Sequence, residues 1–189
     1  MIISLTTNTV FAQHLLGTNI DRPAVDIACD QAMSTQDYEN ATKLCVRAAE
    51  SYDDIVGRLA GYKHLKDSAF IVQEMLYNEA ACLEQSSFAY KQLGDDINGR
   101  SYAVESFNVY DVSRMYFWGK INAAVGRASD DLSPIDYNKE SETIKKKLAS
   151  AISAKDVWII HHFVELMSNL NRLYPGVLNS PIPSHTTNI

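Results

Sequence analysis

This chain has little that breaks a helix. It carries five prolines and eight glycines in 189 residues, and long windows contain neither. No apolar run approaches the roughly 20 residues needed to cross a bilayer. An excess of basic charge is also missing: 17 lysines and arginines stand against 23 acidic residues, a formal net charge of −6. That balance argues against a general nucleic-acid binder, which shows a basic face, and against simple electrostatic docking on an acidic membrane. A glycine-rich phosphate loop, a nucleophile elbow, an HExxH pair and a Cys-x-x-Cys are all lacking. No matched acid, base and nucleophile can be assembled, so the expectation is a non-enzyme without a cofactor. What is present is 46% hydrophobic and 21% charged residues, an ordinary globular balance in a chain long enough to bury one sizeable core.

Apolar residues recur at helical spacing through most of the chain. Tyr38, Ala41, Leu44, Cys45, Ala48, Tyr52, Ile55 and Leu59 fall on one helical face. A shorter periodic segment, Ile27–Ala28–Ala32, precedes them. Between the two lies Ser34–Thr35–Gln36–Asp37, rich in side chains that cap helix starts. The pattern predicts an αα-hairpin over 24–61. Helical stripes continue over 68–93, ending at Gly94, over 100–128 in heptads, over a short segment 139–153, and over a last helix ended by Pro175–Gly176. Asp95–Gly99 reads as a loop between the third and fourth helices. The expected fold class is all-α: five or six helices, αα-hairpins packed as an irregular helical-repeat array or bundle. The domain organisation follows as 1–20 a disordered tail or signal-peptide remnant, 21–174 one helical domain, and 175–189 a disordered tail.

Cys29 and Cys45 lie eight residues on either side of Asp37. In a hairpin turning there, both sulfurs sit at the same height, roughly 12 Å from the turn. Ala28, Ala32, Ala41 and Ala48 let the backbones come within bridging reach. The pattern predicts a Cys29–Cys45 disulfide with Cys82 a buried free thiol; the alternative is three buried thiols acting as small hydrophobes. A second signal points the same way. Val10–Phe11–Ala12 before Gln13 has the small residues of a signal-peptidase site, although Met1–Leu5 is too short for an apolar leader core. The expected compartment is therefore periplasmic or secreted, where thiols oxidise, with a cytoplasmic chain as the alternative.

Asp37–Tyr38, Ala41, Cys45 and Ala48 resemble the second helix of a tetratricopeptide repeat, with Gln36 in place of the family's turn glycine and Cys45 in place of its large aromatic. The run Asn78–Glu79–Ala80 to Ala89–Tyr90–Lys91–Gln92–Leu93–Gly94–Asp95 looks like another phrase of that family. The family's tryptophan and leucine–glycine pair are replaced by Val25 and Ala28–Cys29, and the two phrases are not a regular 34 residues apart. Cysteines paired across a helical hairpin also resemble exported cysteine-rich helical-repeat proteins. The resemblance implies a non-catalytic protein-interaction module whose partner is another protein, not nucleic acid.

Three groups of residues are candidates for more than packing. Tyr102, Phe107, Tyr110, Tyr116, Phe117 and Trp118 crowd one predicted helix. Consecutive aromatics cover about 200° of its circumference, so the helix is either central and buried nearly all round or displays a binding surface. Tyr102, Phe107, Tyr110, Tyr116 and Trp118 are the candidate surface. The same helix, 100–128, could instead hold a small apolar ligand or a metal. Arg114, alone in its apolar heptad, is expected to pair with an acidic residue of another helix. His161, His162 and Glu165 share one helical turn and are weak candidate metal ligands. Lys145–Lys146–Lys147 reads as a solvated face.

Overall fold

The computed structural model describes residues 21–60, 68–128, 131 and 133–179. The cleavage-like site after Ala12, the turn at Gly61–His64 and the tail beyond Asn179 lie outside them. The described chain is all-helical: α1 (Ala24–Ser34), α2 (Tyr38–Ala60), α3 (Ser68–Gln92), α4 (Asp96–Val125), α5 (Glu142–Ala151) and α6 (Ala154–Leu173). Single 3-10 turns at Tyr137–Lys139 and Val177–Asn179 complete it.

α1 and α2 form the first hairpin, α3 and α4 the second, and the two stack through α2 and α3. Their turns are built alike. Gln36 and Gly94 take the left-handed conformation, at φ 60° and 77°. The next amide in each turn, Asp37 or Asp95, donates back to Ala32 or Tyr90 at 2.9 Å. These bonds satisfy carbonyls that the helix end orphans. Asp37 and Asp95 then cap the following helix, accepting from the backbone and the side chain of Asn40 and Asn98 respectively.

Counting inward from the turns, Cys29 corresponds to Ser87, Ala41 to Gly99, Cys45 to Ala103 and Tyr52 to Tyr110. The molecule is thus a pair of matched hairpins followed by two further helices. α6 starts in a capping box: the Ser153 side chain accepts from the Asp156 amide, and Asp156 accepts in return from the Ser153 amide. A cap of this kind contributes about 1 kcal/mol. From there α6 lays Ile159, Phe163, Leu166, Met167 and Leu170 into the core beside α3. The Phe163 ring meets Tyr77 of α3 at 5.2 Å and Tyr110 of α4 at 5.4 Å.

The central helix is α3, packed by α1, α2, α4 and α6. The sequence reading offered that place, as one of two alternatives, to the aromatic segment that became α4. The difference has a physical reason. α3 buries Gln73, Glu74, Asn78, Glu84, Gln85, Ser86 and Ser87 along with its apolar residues. Neighbouring helices meet several of these groups: Ser87 donates to Gly99 O at 2.7 Å and Gln85 to Asp30 at 2.8 Å. Buried polar residues set among the apolar ones all round the helix leave no apolar stripe to see.

Three further expectations are corrected. Arg114 does not reach another helix; half exposed, it pairs with Asp111 on its own helix at 3.1 Å. The buried stripe of α4 runs through Ala103, Ser106, Ser113 and Ile121, with Ser106 donating to Ala80 O at 2.9 Å. Small size, not hydropathy, marks Ala103, Ser106 and Ser113 in this stripe. Asp96 to Gly99 is helix rather than loop, because Asp95 caps it. Finally the helical domain does not end at residue 174: Val177 in the final 3-10 turn is buried in the core.

Candidate functional site

The first hairpin is held by a Cys29–Cys45 disulfide, its Cα atoms 4.9 Å apart, and Cys82 is a free buried thiol. Beside the bridge lies a polar knot that the sequence reading missed. Asp26, in the first turn of α1, is fully buried. Arg22 pairs with both Asp26 and Asp30. Tyr52 of α2 donates to Asp26 Oδ2 at 2.6 Å, and the Cys82 thiol of α3 donates to Asp26 Oδ1 at 3.6 Å. One carboxylate therefore ties three helices together. Gln85 Oε1 lies 2.8 Å from the Cys29 sulfur, a close contact but not a hydrogen bond, since a bridged sulfur carries no proton. The signal was present in the spacing: Asp26 and Asp30 fall four apart on one face of α1, and Arg22 lies four residues before Asp26.

The knot holds protons rather than moving them. Burial, with Asp26 adding to it, pushes the Tyr52 hydroxyl far above the ordinary tyrosine range and the Cys82 thiol well above that of a free cysteine. Arg22 is shifted up as well, chiefly by its bond to Asp26. A thiol kept protonated is neither a nucleophile nor a metal ligand. A second buried carboxylate, Asp156, accepts from Lys120 at 2.7 Å and ties α6 to α4. Burial opposes its ionisation, but bonds from Lys120 and Ser153 prevail and hold it below the usual carboxylate range.

The aromatic candidates divide. Tyr102, Phe107 and Tyr110 pack against the core, Tyr102 stacked on Tyr90 at 5.4 Å. Trp118 is half buried with its ring 6.2 Å from Phe117, and Tyr116 is exposed. Three of the five, Tyr102, Phe107 and Tyr110, are thus partly buried, and Tyr116 is the most exposed of the set. His161 Nε2 lies 3.5 Å from Glu165 Oε1, both largely exposed. His162 is engaged locally, Nδ1 at 3.1 Å from Trp158 O and its ring 4.4 Å from the indole. Among the described residues no group of three His, Cys, Asp or Glu side chains is placed to hold a metal. Lys145 pairs with Glu142, while Lys146 and Lys147 line an open groove with Ala124, Thr143, Ser150 and Ala151.

A different surface stands out. α6 buries one side and shows the other, with Val157 57%, Trp158 45% and Val164 50% exposed. No helix among the described residues is long and apolar enough to cross a membrane. Comparison with family models, with curated proteins and with solved structures gives no match, so the functional reading rests on this chemistry.

Proposed function

We propose that the chain is an exported, non-catalytic protein-interaction module of helical-repeat type, and that its partner docks on the outer side of α6. The observation that carries this is the exposed Val157, Trp158 and Val164 on a helix whose opposite stripe is already committed to the core. A terminal helix of a stacked array ordinarily shows a polar outer face; this one shows a large aromatic and two valines. Tryptophan is the residue type most enriched at the energetic centres of interfaces. The matched hairpin turns support the repeat reading, and the cysteine bridge supports an oxidising compartment. Buried, proton-holding Tyr52 and Cys82 offer no reacting group. The test is capture of partners from an extracellular or periplasmic fraction by the native chain and by a Trp158→Ser/Val164→Glu variant of equal melting temperature. Loss of a specific partner in the variant is expected. Undiminished capture by the variant overturns the assignment of α6.

A further inference from the structure

Asn40–Ala41–Thr42 is the sole Asn-x-Ser/Thr triplet in the chain, and its middle residue is not proline. We propose that Asn40 is an N-glycan acceptor when the chain passes through a eukaryotic secretory lumen, a proposal that rests on the exported reading above. The transfer joins Asn40 Nδ2 to the anomeric carbon of a lipid-diphosphate-linked oligosaccharide, under a membrane oligosaccharyltransferase. The carbon–oxygen bond to phosphate breaks, the lipid diphosphate leaves, and Nδ2 gives up one proton. The triplet is what such a transferase reads, the hydroxyl two residues on being the required partner.

Three structural observations carry the proposal beyond the triplet. Asn40 is exposed in the first turn of α2, at the tip of the first hairpin, so a glycan projects into solvent without disturbing the core. Its Nδ2 donates to Asp37 Oδ2 at 2.7 Å. A glycosylated amide keeps one N–H, and the backbone Asn40 N–H still donates to Asp37 Oδ1, so the cap does not depend on the modified nitrogen alone. Eight residues to either side of Asp37, the same hairpin carries the Cys29–Cys45 bridge, the mark of a chain matured where thiols oxidise. The second hairpin supplies an internal control. Asn98 sits in the same cap geometry, but its triplet is Asn98–Gly99–Arg100, with no hydroxyl to be read. A glycan on Asn40 also assigns the first hairpin's tip to solvent in any assembly, which leaves the α6 side for the partner.

The experiment expresses the full chain behind an added cleavable leader in cultured eukaryotic cells, with site occupancy read by peptide mass before and after endoglycosidase. The native chain should carry one glycan at Asn40. Asn40→Gln and Thr42→Val should each abolish it, and Arg100→Thr should add a second at Asn98. Retained material is read in the same way, since transfer precedes export. An unoccupied Asn40 in a chain whose Asn98 is glycosylated after Arg100→Thr overturns the proposal, as does occupancy that survives Thr42→Val. Expression without the added leader reports on export alone, so failure of that reading is seen separately.

Discussion

The two hairpins share a turn and a cap but hold their helices together by different chemistry. In the first, the close approach is fixed covalently by Cys29–Cys45, and Ala41 sits buried just past the turn. In the second, the corresponding pair is Ser87 and Ala103, and Ser87 instead donates to Gly99 O at 2.7 Å. Gly99 stands where Ala41 stands. Glycine fits there without a shift, whereas a Cβ would lie 1.9 Å from the Tyr174 hydroxyl and 3.0 Å from Ser87 O. Among the described residues the first hairpin packs chiefly on α3, and a crosslink adds to that packing. The second is clamped by α6 and the turn after it.

The largest expected effect breaks the first hairpin's device. Reducing Cys29–Cys45, or replacing Cys45 by Ala as at its counterpart Ala103, should cost about 3 kcal/mol on the chain-entropy model for a loop of this length. For a chain of this size that is roughly 10 °C of melting temperature. Thiol titration of unfolded, unreduced protein should give a single reactive cysteine, Cys82. A melting temperature indifferent to reductant would show that the bridge does not hold the hairpin.

This bridge was legible in the sequence because it depended on local geometry alone: two cysteines equidistant from a turn. The all-helical class was legible for the same reason, since stripes of period 3.6 are local. What could not be read depended on residues far apart in the chain. Gly99 looked like a loop residue, and the close contact that favours glycine there lies with Tyr174, 75 positions away. The burial of Asp26 was equally out of reach, because the Tyr52 and Cys82 that meet it come from two other helices. The heptad through Arg114 failed because serines at 106 and 113 line the true contact, and hydropathy gives them no weight.

A smaller effect tests the second hairpin's device. Gly99→Ala should destabilise by about 1–3 kcal/mol, the usual cost of overpacking a close contact. Tyr174→Phe should cost little alone, because its hydroxyl reaches Ser87 O only at 3.5 Å. Combined with Gly99→Ala it should recover part of the loss, a coupling on the order of 1 kcal/mol in a double-mutant cycle by chemical denaturation. Strict additivity would mean that something other than Tyr174 excludes the side chain.

The interface between the hairpins carries its own pH dependence. Burial, reinforced by Asp53 of α2, pushes the Glu79 carboxyl of α3 up to about 8, and its Oε2 has no hydrogen-bond partner among the described residues. A folded value above the unfolded one means that the native state favours the protonated acid. Glu79 therefore contributes its full stability below about pH 4.5, and that contribution is lost as pH rises towards 8. Relative to the native protein, Glu79→Gln should gain on the order of 2 kcal/mol between pH 5 and pH 8, then no more. Parallel denaturation curves at the two pH values would place Glu79 in contact with water.

The smallest effect is the one that most directly tests whether the two turns are equivalent. Gln36 holds a left-handed conformation at φ 60° that costs a side-chain-bearing residue about 1 kcal/mol, and Gly94 holds the same place at φ 77° without that cost. Gln36→Gly removes the steric penalty, but it also loosens the unfolded chain, which takes back part of the gain. The net expectation is a stabilisation of about 0.5 kcal/mol. Gly94→Gln should destabilise by a similar amount, since no atom lies within 4 Å of a Cβ built there and only the backbone conformation is at stake. Exchanging the two residues in one protein should then leave stability nearly unchanged. Opposite signs of equal size in the single variants, cancelling in the swap, are what equivalent turns require. If Gln36→Gly destabilises instead, the Gln36 side chain makes a contact that Gly94 has no need of, and the two hairpins are alike in backbone only.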